Sequence, residues 1–320
     1  MKDKILIAGV VGPTASGKTR LGVALAKRLG GEVISADSMQ VYKGMTVGTA
    51  KPTKEEMEGI PHHLLDFLDP GEAFSVAAWC DLAREKIEEI TKRGKLPILV
   101  GGTGLYVSSL LNHIQFAPLQ SDPALRQELQ ERAEKEGGEG LLKELRGFDP
   151  QSAAALHPNN LGRIIRAIEV YRLTGVPMSR QQQEARSKPS PYHPAVVGLA
   201  FRDRALLYER IDRRVDEMLE NGLCAEAQEV YRHGGKTALQ AIGYKELFPY
   251  FEGECSLSQA VDKLKMETRR YAKRQITWFK REPWVHWLYL DEERNFQAIA
   301  DEAAKWVEMQ RLLCYNNQQV

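Results

Sequence analysis

Residues 12–19 have the composition and spacing of a phosphate-binding loop. They read Gly-Pro-Thr-Ala-Ser-Gly-Lys-Thr and fit the pattern G-x-x-x-x-G-K-[ST]. The glycines let the backbone turn tightly, so that consecutive N–H groups point towards one anion. Lys18 adds a full positive charge, and the Thr19 hydroxyl can bind Mg²⁺. We therefore expect a phosphate-binding loop (P-loop) here; the alternative is a glycine turn without a ligand.

The elements on both sides of the P-loop support that interpretation. Residues 5–11 form a short apolar run, which is typical of a buried parallel strand. After the loop, Leu21, Leu25 and Leu29 repeat at helical spacing until Gly30 ends the pattern. A helix in this position would turn the positive end of its dipole towards a bound phosphate.

Asp37 follows directly after a second short strand, residues 32–36. In open α/β sheets, ligands lie beyond the carboxyl ends of the strands, so Asp37 should lie near the P-loop. A carboxylate there would repel a bound phosphate, and this unfavourable position indicates that it has a chemical role. It could hold Mg²⁺, or it could accept a proton from an attacking group. The structural alternative is an Asx-turn or a helix N-cap.

Thr103 follows the next buried strand, residues 97–100, in the sequence Gly-Gly-Thr-Gly-Leu-Tyr. Glycines at a strand end allow another backbone or a ligand to approach closely. Thr103 is therefore a further candidate at the same sheet edge, with a helix N-cap as its alternative role.

A long loop is expected between these strands, over residues 43–75, because Gly, Pro, Thr and Lys are frequent there. Adjacent histidines such as His62 and His63 point to opposite faces of an extended chain, which favours packing or hydrogen bonding over a shared metal. Residues 76–93 then have the pattern of an amphipathic helix.

The pattern becomes purely helical after Pro118. No strand-like run occurs between residues 121 and 188, which indicates an all-helical insertion with helices near 123–135, 140–145, 152–156 and 161–173. The later half of this insertion is locally basic, because it contains six basic residues and only two acidic ones. This surface could bind a polyanion, or it could simply be solvated. The bases are Arg163, Arg166, Arg172, Arg180, Arg186 and Lys188.

The chain returns to the sheet with a buried strand at residues 195–201, followed by a helix that carries Arg210 and Arg214 one turn apart. These arginines could clamp a leaving phosphate or could pair with Asp212 or Glu217. A long basic helix is expected at residues 257–280. A last strand follows it, and we interpret its aromatic residues Trp287 and Tyr289 as buried core residues. The partly apolar stripe of the long helix contains Val261, Leu264, Thr268, Tyr271, Gln275 and Phe279.

Composition limits the class of protein. The chain of 320 residues has a net charge of +1, so it could bind a polyanion only through a local basic patch. Its four cysteines contain no C-x-x-C pair, which argues against a disulfide framework or a zinc ribbon. No apolar run reaches the roughly 20 residues of a membrane span. We therefore expect a soluble cytoplasmic protein with no membrane contact, and a monomer.

Together these motifs closely resemble the bacterial tRNA dimethylallyltransferase (tRNA isopentenyltransferase) family. The resemblance rests on the P-loop, the segments 37–42, 61–66 and 101–106, and the Gly243-Tyr244 segment. It implies a P-loop NTPase-like α/β fold, a parallel sheet flanked by helices, with an all-helical insertion domain. The implied parts are residues 1–117 and 192–290 as the core, 118–191 as the tRNA-binding insertion, and 291–320 as a C-terminal helix and tail.

The resemblance also implies the reaction and its participants. The dimethylallyl group of dimethylallyl diphosphate would pass to N6 of the adenosine 3′ to a tRNA anticodon, and diphosphate would leave. Mg²⁺ would be the cofactor, held by Thr19. Asp37 would be the general base, Thr103 would orient the amine, and Arg214 would be a further clamp on the diphosphate.

The remaining implied site residues fall into two groups. The diphosphate would be bound by Gly12, Pro13, Thr14, Ala15, Ser16, Gly17, Lys18, Thr19 and Arg210. The tRNA would be bound by Asp37, Ser38, Met39, Gln40, Thr103, Arg126, Gly162, Arg163, Ile164, Ile165, Arg166, Gln240, Gly243, Tyr244 and Lys245. A small-molecule kinase and a non-catalytic, GTPase-like RNA-binding module are the rival function classes.

Overall fold

The computed structural model describes residues 4–116, 122–292 and 295–316. Its centre is a six-stranded sheet with the order β3-β2-β4-β1-β5-β6, in which all neighbouring strands are parallel. The strands are β1 (Ile5–Val11), β2 (Gly31–Ser35), β3 (His62–His63), β4 (Leu96–Gly101), β5 (Tyr192–Ala200) and β6 (Val285–Tyr289).

The chain divides into two compact units, residues 1–111 with 191–320, and residues 112–190. The helices of the first unit are α1 (Lys18–Leu29), α2 (Lys54–Met57), α3 (Val76–Lys92), α4 (Gly104–Leu111), α9 (Arg204–Glu220), α10 (Leu223–His233), α11 (Phe248–Phe251), α12 (Leu257–Phe279) and α13 (Phe296–Asn316). Those of the second unit are α5 (Pro123–Phe148), α6 (Pro150–Ala155), α7 (Leu161–Thr174) and α8 (Met178–Ala185).

Helices cover both faces of the sheet because the central strands are apolar on both sides. In β1, Ile7 belongs to the core that α3 and α4 cover, whereas its neighbour Ala8 belongs to the core beneath α1 and α13. Leu21 of α1 and Trp79 of α3 are fully buried on these opposite faces. The predicted class, a P-loop NTPase-like sheet flanked by helices with an all-helical insertion, is confirmed.

A third core lies under the predicted loop region. Val41, Tyr42 and Met45 are fully buried there and pack with residues of α9, α10 and α12. The region is mostly irregular, as predicted, apart from α2 and the short strand β3. This core anchors the segment that follows Asp37, which becomes important for the site below.

The interpretation of the last strand needs a correction. Trp287 and Tyr289 were expected in the core. Trp287 is half-buried and packs against the core that α3 and α4 cover. Tyr289 is half-buried and belongs to no core cluster of the described residues, and Leu288 is the buried residue of β6. The reason is the position of β6 at the sheet edge, where it pairs with β5 alone.

The second unit is helical, as predicted, but its helices differ in length. The segment α5 consists of two helices that meet at a kink at Gly137 (φ 71°, ψ 176°), so the two helices expected at 123–135 and 140–145 are both present and are longer than predicted. The helix α8 was not anticipated. The hydrophobic core of the second unit includes Leu129, Leu145 and Ile168. The expected boundary at Pro118 lies outside the described residues.

Candidate active site

A cavity of about 820 Å³ lies beyond the carboxyl ends of β1, β2 and β4. The P-loop residues Thr14 to Thr19 line it together with Asp37, and so do Arg210 and Arg214 of α9. Its volume is within the range of ordinary small-molecule sites. Every lining residue belongs to the first unit.

The P-loop backbone has the conformation that its glycines were expected to allow. Gly12 has φ 142°, and a Cβ there would lie 2.6 Å from the Leu199 carbonyl oxygen, so no side chain fits. Ala15 and Gly17 also have positive φ, at 61° and 81°. Residues of positive φ that alternate with others turn several successive N–H groups towards one side, which is the backbone conformation of an anion-binding concavity.

Lys18 is folded onto its own loop. Its Nζ donates a hydrogen bond of 2.6 Å to the Pro13 carbonyl oxygen. Burial and, to a lesser extent, the positive charge of Arg214 lower the pKa of Lys18 to about 7, against the opposing effect of the Asp37 carboxylate. Lys18 is thus poised to gain a proton when an anion enters the loop.

The two arginines of α9 have different partners. Arg210 donates from Nε to the Ala15 carbonyl oxygen at 2.9 Å, so it ties α9 to the P-loop. Desolvation lowers the pKa of Arg214, against the charges of Glu56, Asp37 and Glu217. The alternative role, pairing with Asp212 or Glu217, is not seen among the described residues, because Asp212 pairs with Arg269 and Glu217 pairs with Arg213.

Asp37 forms an Asx-turn and still faces the cavity. Its Oδ1 accepts hydrogen bonds from the backbone N–H groups of Met39 (2.9 Å) and Gln40 (3.3 Å). Within the described part of the chain, Oδ2 accepts no hydrogen bond. The structural and the chemical interpretations are therefore compatible, because one oxygen fixes the carboxylate and leaves the other for a ligand.

Thr103 joins the loops that follow β2 and β4. Its Oγ1 accepts a hydrogen bond from the backbone N–H of Ser38 at 3.0 Å, and its own N–H donates to the Ala36 carbonyl at 3.1 Å. A Cβ on Gly101 would lie 2.2 Å from that carbonyl oxygen, so the expected close approach at these glycines is of another backbone. Thr103 contacts Tyr271, a cavity residue whose pKa is raised by burial and by Asp37.

Gln275 is a site residue that sequence reasoning missed. Its Oε1 accepts a hydrogen bond from the Thr14 N–H at 2.9 Å, and its Nε2 donates to the Gly102 carbonyl at 3.0 Å. With 5% of its surface exposed, it links the P-loop to the loop that carries Thr103. The sequence does contain a signal for this role: Gln275 is a polar residue on the buried stripe of α12, and a buried polar side chain needs hydrogen-bond partners.

Gln275→Leu is expected to lower the free energy of unfolding by about 2 kcal/mol, because it leaves the half-buried Thr14 N–H and the buried Gly102 carbonyl without partners. The measurement is urea denaturation followed by circular dichroism. Gln297→Leu is the matched control, since Gln297 is exposed on α13 and its amide donates to the Asp301 carboxylate. Equal stabilities of the two variants would contradict a structural role for this link.

The oxygen atoms beside the P-loop fit a magnesium ion better than a zinc-type metal. In the part of the chain that the structure describes, no group of three or more His, Cys, Asp or Glu side chains could hold a metal. Mg²⁺ needs fewer protein ligands, because it keeps several waters and binds phosphate oxygens. Thr19 and Asp37 both line the cavity and could supply such oxygens.

The adjacent histidines have the hydrogen-bonded role predicted for them. His62 Nδ1 is 2.9 Å from the Ile60 carbonyl oxygen, and His63 Nε2 is 2.7 Å from Glu32 Oε2.

Comparison with known proteins decides the family. The family described as IPP transferase matches residues 40–282. A tRNA dimethylallyltransferase of Geobacillus kaustophilus is 52% identical over 309 residues, which cover 96% of this chain and 97% of that protein. One of Thermoanaerobacter sp. (strain X514) is 48% identical over 307 residues, or 95% and 98% of the two chains. This chain belongs to the tRNA dimethylallyltransferase family. It is therefore an enzyme, a prenyltransferase, and the resemblance recognised from its motifs is confirmed.

Solved structures of the tRNA dimethylallyltransferase family share this fold. The full-length tRNA isopentenylpyrophosphate transferase of Bacillus halodurans has 44% identity and a TM-score of 0.75, with 99% of this chain and all of that chain covered. A eukaryotic dimethylallyltransferase, captured acting on tRNA, has 30% identity and a TM-score of 0.79, with 94% and 77% covered. Among the described residues, no helix combines the length and apolar character needed to cross a bilayer.

The residues that the family resemblance assigns to RNA contact differ in their access. Ser38, Met39, Gln40, Gln240 and Gly243 line the cavity. In the second unit, Gly162 and Arg163 are exposed, and Arg126 and Arg166 are half-exposed. Lys245 of the first unit is half-exposed as well.

Three of the assigned side chains are in the interior instead. Ile164 and Ile165 pack in the core of the second unit, because they lie on the inner face of α7. Tyr244 is fully buried and donates its hydroxyl to Glu226 at 2.7 Å. For these three, direct contact with RNA through the side chain is replaced by a role in holding the fold.

The basic faces are less cationic than the sequence alone indicates. Arg172 pairs with Glu128 and Glu144, which α5 supplies from more than 20 positions away. Arg269 and Lys265 of α12 pair with Asp212 and Asp216 of α9. In the described parts of the chain, the bases without an ion pair include Arg163, Arg186, Lys188, Lys263, Lys273, Arg274, Lys280 and Arg281.

Proposed function

We propose that this chain transfers the dimethylallyl group of dimethylallyl diphosphate to N6 of the adenosine 3′ to a tRNA anticodon, releasing diphosphate. The observation that carries the proposal is the cavity in which the P-loop, two arginines and Asp37 face one space. Such a space offers cationic groups for a leaving diphosphate and an acceptor for a proton. The activity named for the relatives supports the same reaction.

The cations would act on the leaving group. As the C–O bond of the donor breaks, its electron pair passes to diphosphate, and negative charge grows at the P-loop. The N–H groups of the loop, Lys18 and Arg214 are aligned to stabilise that charge before the reaction begins. Arg210 would assist by fixing the P-loop through Ala15. Mg²⁺, held by Thr19, would supply further charge neutralisation when bound.

Asp37 would act on the nucleophile. The exocyclic amine of adenine is weakly nucleophilic because its lone pair is conjugated with the ring. As the N6–C bond forms, one N6 proton would pass to Asp37 Oδ2, the oxygen that the Asx-turn leaves unused. Thr103 would orient the amine indirectly, because its hydroxyl holds Ser38 next to Asp37.

The adenosine would have to leave its stack to reach this cavity. Ser38, Met39 and Gln40 line the cavity beside Asp37 and could contact the extruded base. The second unit, with its exposed arginines, would bind the anticodon stem-loop, which is the role implied for residues 118–191. A single-stranded loop suits this, because RNA bases there are free to be splayed out. We also propose that the enzyme acts as a cytoplasmic monomer.

Arg163→Ala is expected to weaken tRNA binding about three- to tenfold and to reduce the slope of log Kd against log salt by about 0.7–0.9, the value for one lost phosphate contact. The measurement is tRNA binding at several salt concentrations. Arg180→Ala is the matched control, because Arg180 is also exposed but already pairs with Glu184. An unchanged slope in Arg163→Ala would contradict a phosphate contact at this position.

The proposed reaction is tested with labelled dimethylallyl diphosphate and an unmodified anticodon stem-loop. Label should enter the RNA only when adenosine occupies the position 3′ to the anticodon, and a stem-loop with guanosine there is the control. ATP turnover without labelled RNA would favour a kinase. RNA binding without either reaction would favour the non-catalytic module.

A further inference from the structure

Glu226 holds a segment of the cavity wall by its backbone. The segment is residues 46–50, all of which line the cavity. Glu226 Oε2 accepts hydrogen bonds from the N–H groups of Thr46 (2.8 Å) and Val47 (2.9 Å), and Oε1 accepts one from Gly48 (2.9 Å). One carboxylate therefore binds three consecutive backbone donors, which is the way such a concavity binds an anion.

Tyr244 completes this contact from the opposite side. Its hydroxyl donates to Glu226 Oε1 at 2.7 Å, and its ring occupies the space where a Cβ on Gly48 would lie, 2.6 Å away. The carboxylate raises the pKa of the Tyr244 hydroxyl, as burial does to a greater extent, so the phenol remains a donor. Glu226 belongs to α10 and Tyr244 to the third core, so both ends of the contact are anchored.

A chain of hydrogen bonds leads from this segment to the proposed base. The carbonyl oxygens of Thr49 and Ala50 accept from Gln40 Nε2 at 3.1 and 3.2 Å. The Gln40 backbone N–H in turn donates to Asp37 Oδ1. Gln40 therefore shares the orientation of Asp37 with the Met39 N–H. The 46–50 segment shares the orientation of Gln40 with the Ser35 hydroxyl, which donates to Gln40 Oε1 at 3.1 Å.

We propose that Glu226 is a positioning residue for the transfer reaction: it fixes the 46–50 segment and, through Gln40, the Asp37 carboxylate. The expected effect on kcat rests on the proposed function, whereas the expected effect on the 46–50 segment does not. Hydrogen bonds to a charged acceptor are stronger than neutral ones, so a charge-free replacement should loosen the segment while leaving the sheet intact. Among the described residues, no N–H or side-chain donor of the P-loop bonds to Glu226, so diphosphate binding should be spared.

The decisive variant is Glu226→Gln. An amide has one acceptor oxygen, so its NH₂ group must face at least one of the three N–H donors. Glu229→Gln is the matched control, because Glu229 lies one turn further along α10, is exposed, and contacts Arg232 and His233. Tyr244→Phe is a second variant that keeps the ring beside Gly48 and removes only the hydroxyl.

The first measurement is amide hydrogen exchange of the full chain. We expect the amides of residues 46–48 to exchange about tenfold faster in Glu226→Gln, about threefold faster in Tyr244→Phe, and within twofold of wild type in Glu229→Gln. The amides of β1 should be unchanged in all three. Faster exchange throughout the sheet, or none at residues 46–48, would overturn the inference.

The second measurement separates positioning from binding. In Glu226→Gln we expect kcat for prenyl transfer to fall about tenfold, while the Kd for inorganic diphosphate stays within twofold. Unchanged kcat together with faster exchange would overturn the inference, and so would equal losses in kcat and diphosphate affinity. If the wild-type enzyme transferred no prenyl group, the proposed function would fail instead, and hydrogen exchange would still decide whether Glu226 holds the segment.

Discussion

Asp37→Asn is expected to lower kcat for prenyl transfer by about 10³-fold and to leave the affinity for tRNA within twofold of wild type. The substitution is nearly isosteric, and the amide oxygen can still accept from the N–H groups of Met39 and Gln40. The Asx-turn should therefore persist, and only the capacity to accept a proton is lost. General-base catalysis commonly contributes about 10²–10⁴-fold to a rate, which sets the expected size of the effect.

The comparison with Asp37→Ala makes this test specific. Alanine removes both the base and the Asx-turn, so it should also lower the stability of the loop after β2. If the asparagine variant kept its transfer rate while the alanine variant lost it, Asp37 would be a structural residue and the proposed proton transfer would be wrong. Single-turnover measurements with saturating tRNA are the appropriate readout, because they exclude product release.

Lys18→Met is expected to reduce kcat/KM for dimethylallyl diphosphate by about 10²–10³-fold, because it removes the amine that takes up a proton when diphosphate binds and then faces the developing negative charge. Lys27→Met is the matched control. Lys27 lies on the same helix, but it is exposed and pairs with Glu58. A loss of comparable size in both variants would indicate damage to α1 rather than to the phosphate site.

The lowered pKa of Lys18 gives this test a second readout. With a pKa of about 7, most Lys18 side chains are neutral at pH 8 in the free enzyme. A bound diphosphate favours the charged form, so wild-type enzyme should take up close to one more proton on binding at pH 8 than Lys18→Met does. Affinity for diphosphate should accordingly fall as the pH rises above 7 in wild type, relative to the variant. Calorimetry in buffers of different ionisation enthalpy measures the proton uptake, and equal uptake would refute this role.

Local sequence was sufficient for the parts of the site that depend on short-range geometry. The P-loop conformation follows from glycines and a lysine within eight consecutive positions, between a strand and a helix. Asp37 and the P-loop were expected at one sheet edge because both follow parallel strands, and the cavity contains both. The Asx-turn at Asp37 is likewise a contact over two and three positions, and it was foreseen as an alternative.

Contacts between distant parts of the chain were beyond the reach of sequence patterns. Gln275 lies 261 positions from Thr14, and Glu226 lies 178 from Gly48. The helix that carries Glu226 was not predicted at all. The partners of Arg172 were missed for the same reason, because a local count of charges cannot include acids that another helix brings into contact.

The sequence alone therefore determined the class of sheet, the conformation of the loop at residues 12–19, the candidate base and the family, because each depends on short motifs of residues that are neighbours along the chain. Only the tertiary structure decided what holds those groups in place: Gln275 between two loops, Arg210 on the Ala15 carbonyl, and Glu226 beneath the 46–50 segment. The physical reason is that a motif specifies the backbone and chemistry of its own residues. Its supports come from side chains whose proximity depends on how the whole chain packs.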